Sequence, residues 1–206
     1  MADIQEAKKF VELLIARFHK SCDTIDRDVE EWYNDQRQDD VAYFNLISTH
    51  PSLEHREIAL ATLYKHGFGT SQSTAKAVEL YEKASQSGDV YGDCELARYY
   101  REKDDGEDDA KRSLEYANKA ADGNVPYGYY VLGELNEIGA PVEENKQEAL
   151  KLYKKAAEGG YVDANLKVAE LFIEKALLWY GIAADKGNVQ ARIRLDEYTK
   201  IMAKWM

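Results

Sequence analysis

The sequence predicts an all-α protein: a solenoid of about four helical-pair repeats, with N-terminal capping helices and a C-terminal closing helix. Three observations predict it. Ala61, Ala97, Gly133 and Ala169 stand 36 residues apart in a recurring pattern, and a period of that length built from helical signals marks stacked helix pairs. A small-residue stretch recurs with it, from Ala84-Ser85-Gln86-Ser87-Gly88 to Ala120-Ala121-Asp122-Gly123-Asn124 and Ala156-Ala157-Glu158-Gly159-Gly160, then after a shorter step of 27 to Ala183-Ala184-Asp185-Lys186-Gly187. Finally, alternating β-branched runs are absent and only three prolines occur, which argues against a sheet.

The elements follow in chain order. Residues 1–50 carry no repeat signature but read as helix. Phe10, Leu13, Leu14 and Phe18 recur at helical spacing, Val29, Trp32 and Tyr33 begin a second amphipathic stretch, and Val41, Tyr43, Phe44, Leu46 and Ile47 a third. A solenoid exposes apolar surface at its ends, so this lead-in is expected to cap the first repeat, the alternative being that it docks on a partner or dimerises. Residues 51–206 form the solenoid. Within each unit Leu60-Ala61, Leu96-Ala97, Leu132-Gly133 and Val168-Ala169 mark one helix. The aromatic-bearing pairs Leu80-Tyr81, Tyr116-Ala117, Leu152-Tyr153 and Trp179-Tyr180 mark the other. Antiparallel helices approach closely only where side chains are small, so Ala or Gly at a fixed place admits a bulky partner opposite. Gly88, Gly160 and Gly187 supply the left-handed turn that ends each unit. After Gly187, Ala191, Leu195, Tyr198, Ile201, Met202 and Trp205 make a final amphipathic helix that closes the stack.

On these residues the chain resembles the Sel-one-like repeat (SLR) family, a relative of the tetratricopeptide repeat. The first unit carries its pattern at Leu60, Ala61, Tyr64, Gly67, Gly69, Lys76-Ala77, Leu80-Tyr81, Ala84 and Gly88, and the third at Leu132-Gly133, Gly139, Glu148-Ala149, Leu152-Tyr153 and Ala156-Ala157. The likeness covers about residues 54 to 195. It implies an α/α superhelix that serves as a protein-interaction scaffold, without naming the partner.

Two units depart from the pattern. The second replaces its glycine loop with Lys103-Asp104-Asp105-Gly106-Glu107-Asp108-Asp109. An EF-hand reading of this run fails, because Arg101 and Arg112 stand where the first and last carboxylates belong; a solvated surface loop is expected. The fourth unit runs short. Phe172 to Ala176 takes four steps where Tyr64 to Ala77 and Asn136 to Ala149 each take thirteen. Either about nine residues of a turn are missing between Ile173 and Glu174, or the segment is a single bent helix.

Charge and motifs narrow the function classes. The net charge is -11, with eight carboxylates against two arginines from Asp23 to Asp40. Nucleic acid would be repelled, and a basic protein or peptide partner fits better. Phe10 to Phe18 contains Glu12 and Arg17, too charged for a signal peptide and too short to span a membrane. Two cysteines, Cys22 and Cys94, favour a reducing compartment and a cytoplasmic location. No catalytic motif is present and no cofactor is expected. His19 and Cys22 could offer two metal ligands where zinc requires three or four.

The expected function is therefore a non-catalytic scaffold or adaptor that binds a peptide or protein on its concave face. The alternatives are a regulatory repeat module of a larger, for example kinase-like, enzyme, or an unrecognised catalytic site. In helical-pair solenoids the first helices of successive units line the concave face. Positions there that are not needed for packing are Asp93, Arg98 and Tyr99 in the second unit, Tyr129, Glu134 and Leu135 in the third, and Asn165, Lys167 and Glu170 in the fourth. Tyr and Arg dominate binding centres, which puts Arg98, Tyr99 and Tyr129 first.

Overall fold

A computed structural model describes residues 4–16, 40–103 and 105–202. Among them stand ten helices and no strand: α1 (Ile4–Ala16), α2 (Asp40–Thr49), α3 (Arg56–His66), α4 (Thr74–Gln86), α5 (Val90–Lys103), α6 (Glu107–Asp122), α7 (Pro126–Ile138), α8 (Lys146–Glu158), α9 (Val162–Asp185) and α10 (Val189–Met202). The stretch around Val29, Trp32 and Tyr33, the His19/Cys22 pair and Trp205 lie outside the described residues. The chain divides into two compact units, Met1–Ala164 and Asn165–Met206.

In the first unit α3/α4, α5/α6 and α7/α8 are the three helical pairs. Their phase is visible in single hydrogen bonds. The amide of Asp89 donates to the carbonyl of Ala84 at 2.9 Å, that of Val125 to Ala120 at 3.1 Å and that of Tyr161 to Ala156 at 2.9 Å. These are successive copies of one helix-ending bond, which captures a carbonyl the helix would leave unpaired. The residue before each donor is left-handed: Gly88 at φ 86°, Asn124 at φ 58° and Gly160 at φ 96°. Asparagine is among the few side chains that tolerate that conformation, which is how the second repeat dispenses with glycine at this position. The loops inside the first and third pairs match as closely. Gly67 and Gly139 end α3 and α7, and Ser73 and Asn145 accept the amides of Lys76 and Glu148 to begin α4 and α8.

Small-on-large contacts hold the pairs shut. Ala61, Ala77 and Ala84 are fully buried beside Tyr81. In the third pair a Cβ added to Gly133 would stand 2.6 Å from the Tyr153 ring. In the second pair the aromatic has moved one place to Tyr116, so the inward residue is Ala117. There Ser113 Oγ donates to the carbonyl of Ala97 at 2.9 Å, and Tyr116 stacks on Tyr100. Between pairs the fit is as close, and against backbone: a Cβ on Gly92 or Gly128 would meet the backbone nitrogen of Ser85 at 2.7 Å or of Ala121 at 2.6 Å.

The lead-in helices α1 and α2 pack on the first helix of the first pair. Ala7, Phe10, Val11 and Leu14 of α1 and Ile47 of α2 share one apolar cluster with Ala59, Leu60 and Leu63 of α3. The acidic run is not simply a loop. Glu107, Asp108 and Asp109 form the first turn of α6, where carboxylates meet the positive end of the helix dipole. Lys103 Nζ lies 2.8 Å from Asp109 and holds that carboxyl below its ordinary range.

The short fourth repeat is resolved in favour of the single helix. Residues Val162–Asp185 run as one 24-residue helix through Ile173 and Glu174, with no hairpin turn. The repeat still ends in phase, since the amide of Asn188 donates to Ala183 at 3.0 Å and Gly187 is at φ 86°. Ala169, expected to be a packing residue like Ala61 and Ala97, is exposed. A continuous helix cannot bring its second half back over its first.

Candidate functional site

A groove of about 510 Å³ opens where α4, α5 and the end of α3 meet. Its apolar surface comes from Ala77, Val78, Tyr81 and Tyr99, its polar surface from Glu95, Arg98, Glu102 and Lys103. Residues one turn apart on α5 project together, so Glu95, Arg98, Tyr99 and Glu102 form a continuous wall facing α4. Tyr81 forms the floor, and its buried hydroxyl has no hydrogen-bond partner among the described residues. Arg98 is 8% exposed and its guanidinium contacts the carboxylate of Glu95, which is itself buried. A desolvated ion pair is fixed in place more than it is stabilising, so it serves as a rigid polar edge. Tyr99 packs edge-on against Tyr100, ring centres 5.1 Å apart, leaving its other side to the groove.

Of the nine positions singled out from sequence, Arg98 and Tyr99 are brought together in this groove. Leu135 is buried in the core, and Asp93 is also buried, accepting a hydrogen bond from Ser85 Oγ at 2.7 Å across the α4–α5 seam. Glu134 is half-buried and engaged by Arg101 of the preceding repeat at 2.5 Å. Tyr129 lies half-buried with Lys155 Nζ 5.3 Å from its ring centre and its hydroxyl 3.3 Å from Asn124. Asn165, Lys167 and Glu170 belong to the second unit, where Lys167 and Glu170 stand 3.7 Å apart. Tyr81, Glu95 and Glu102 were missed. Tyr81 has the repeat's packing signature, which conceals that one edge of its ring faces the seam between pairs.

Burial is the main cause that pushes the Asp93 carboxyl above its ordinary range. The charges of Asp89 and Glu115 add to it, and the Ser85 hydrogen bond and Lys119 offset part of it. A raised carboxyl binds its proton more tightly in the folded state, so ionisation of Asp93 at neutral pH opposes folding and protonation at lower pH relieves the opposition. Asp93→Asn is therefore expected to raise the thermal midpoint at pH 7, with the difference from wild type shrinking as pH falls through the carboxylate range; melting curves across pH 4–8 check it. A lower midpoint for the variant at pH 7 would show that the ionised form is the favoured one.

No group of three or more metal-ligating side chains occurs among the described residues. Nor is any described helix long and apolar enough to cross a membrane.

Comparison with known proteins supplies the context. The family model for the Sel1 repeat matches residues 57–89, 91–125, 126–161 and 173–188, more than half of the chain. The fourth match begins at the fused junction, with Ile173. A chitin synthase regulatory factor of Schizosaccharomyces pombe is 27% identical over 176 residues, 75% of this chain and 34% of that protein. An uncharacterized protein of Neisseria meningitidis is 28% identical over 127 residues, 59% of this chain and 26% of that protein. The chain thus spans about a third or less of the length of these relatives. Among solved structures, a Sel1 repeat protein from Oxalobacter formigenes aligns with a TM-score of 0.61 at 20% identity, covering 82% of this chain and 74% of its own. A protective antigen of uropathogenic Escherichia coli with an SLR fold aligns with a TM-score of 0.60 at 22% identity, covering 81% and 43%.

Proposed function

Because this chain belongs to the Sel1 repeat family, whose members generally mediate protein–protein contacts on a typically non-catalytic fold, we propose that it is a scaffold whose α4–α5 groove receives an extended segment of a partner protein. The observation that carries this reading is the groove itself. A tyrosine floor with an unsatisfied buried hydroxyl lies beside a fixed Glu95–Arg98 pair. An apolar side chain would fill the space between Tyr81 and Tyr99. Exposed Glu102 on the rim, in a chain of net charge -11, favours a partner with a basic residue flanking the apolar one.

The test is site-specific photo-crosslinking in cells, with the reactive group at Tyr99 and, as control, at exposed Lys111 on α6. A protein adduct specific to Tyr99, reduced several-fold by Glu102→Lys, is expected. The same adducts at both positions would remove the groove from the account. A second reading, a regulatory module for an enzyme, is favoured by the S. pombe relative, itself described as a regulatory factor for an enzyme; under it the Tyr99 adduct would be an enzyme subunit.

A further inference from the structure

The fourth repeat contains both halves of a helical pair and no turn to close them. In the three closed pairs the residues equivalent to Ala169 and Ala176 are sealed: Ala61 and Ala97 are fully buried, Gly133 lies under the Tyr153 ring, and Ala77, Ser113 and Ala149 are buried. In α9 both Ala169 and Ala176 are exposed. So are Leu166, Leu178 and Trp179, at 63%, 62% and 61%. Leu178 stands where the closed pairs carry Glu79, Glu115 and Lys151, an apolar residue on a surface that is charged in every other unit. The small half of the contact, Ala169 and Ala176, is uncovered on this helix, while its bulky half, Tyr180, is half-buried and stacks on Tyr198 of α10.

We propose that α9 makes this contact with a second copy of this chain, in a reciprocal swap. The first half of α9 in each copy pairs antiparallel with the second half of α9 in the other, rebuilding two fourth repeats across a two-fold axis. The occupant is specified by the register. Gly133 with Tyr153, and Ala97 with Ser113, touch in the closed pairs. Carried along the repeat they become Ala169 with Tyr180 and Ala169 with Ala176, contacts that straddle the Ile173–Glu174 junction. A two-fold axis at that junction therefore places Ala169 of one copy against Tyr180 of the other without any change in helix phase, and the symmetry gives both contacts twice. The helix is about 36 Å long at 1.5 Å per residue, room for both. A hollow of about 160 Å³ lined by Phe172, Ile173, Ala176, Leu177 and Tyr198 lies at the same junction, where the second copy would cross. A shortened hinge between two mutually complementary elements is the general condition for exchange between protomers.

Two measurements on the full chain test this. Light scattering with size exclusion should give a dimer. Inserting a copy of residues 138–146 between Ile173 and Glu174, which restores the turn of the third pair, should give a monomer with undiminished helical circular dichroism. Independently, in a chain carrying Cys22→Ser and Cys94→Ala, protein labelled only at Asn165→Cys should be mixed with protein labelled only at Asp185→Cys. The pair should show an inter-chain spin–spin distance under about 20 Å, since packed helices lie 8–10 Å apart. Either a wild-type chain that stays monomeric to roughly 100 μM, where an interface of standard size would be saturated, or a dimer whose labels at those two positions are far apart, overturns the proposal. A turn-restored variant that folds and still dimerises equally well also overturns it. Should that variant fail to fold, the mixed-label distance on the unaltered hinge still decides.

Discussion

Tyr153→Ala is expected to lose about 3–5 kcal/mol of folding stability, the range for removing a fully buried aromatic ring, which is a large share of the 5–15 kcal/mol that typically holds a domain. The size follows from where the ring sits. Tyr153 is fully buried and lies directly over Gly133, so no side chain on the opposite helix can move in to fill the void. Tyr127, Tyr130 and Tyr161 form a chain of ring contacts that reaches Tyr153 through Tyr130, 5.6 Å away, so the loss propagates into the packing behind α7. Its hydroxyl donates to Glu137 at 2.6 Å, and burial, reinforced by that bond, pushes the phenol well above its ordinary range. Tyr153→Phe separates the two effects. It removes one hydrogen bond and leaves the ring, and should cost only about 1 kcal/mol. Denaturant titration of both variants checks this. Equal losses would assign the stability to the hydrogen bond instead of the packing.

Gly128→Ala is the second large effect, and it runs against helix propensity. In an ordinary helix this change is favourable by about 1 kcal/mol. Here the new methyl carbon would stand 2.6 Å from the Ala121 nitrogen and 2.8 Å from the Ala120 Cβ. The obstacle is backbone, which cannot rotate away, so α6 and α7 must separate. The expected result is a net loss of about 3 kcal/mol, the upper part of the range for overpacked cores, read as a shift of the denaturation midpoint. Gly92→Ala, one repeat earlier, meets Ser85 nitrogen at 2.7 Å and should behave alike. A neutral or stabilising Gly128→Ala would mean that successive helical pairs are not in contact at this point.

How legible these features are in the sequence depends on how many constraints act on a residue. The repeat phase is legible because one position must be small, its partner bulky and the turn left-handed, and few residue types satisfy each demand. Asn124 shows the tolerance: it takes the left-handed position of the second repeat where the first and third have glycine. The candidate site is less legible because α5 is enclosed on several sides. It lies between α4 and α6, and Gly92 through Arg98 are buried without a break. A helix with that much of its circumference covered has no simple outward face, so Asp93 and Arg98 read as free positions when neither is. Leu135 fails for the same reason on α7. The acidic run misleads differently. A surface loop and the first turn of a helix both favour Asp and Glu, and only the position of Gly106 as the residue before α6 separates them.

The fourth unit is where composition says least. Its residues keep the family's helical signals on both sides of a junction that lacks a turn, and such signals do not state whether two helices fold back or run on. The central claim, that one repeat pattern gives closed pairs where a turn is present and a single continuous helix where it is missing, is tested most directly within one chain. Spin labels at Asn165→Cys and Asp185→Cys on the same molecule, in a chain carrying Cys22→Ser and Cys94→Ala and diluted with unlabelled protein, should lie about 30 Å apart at 1.5 Å of rise per residue. A distance of about 10 Å, the spacing of packed antiparallel helices, would mean that the fourth pair closes on itself and would contradict the account.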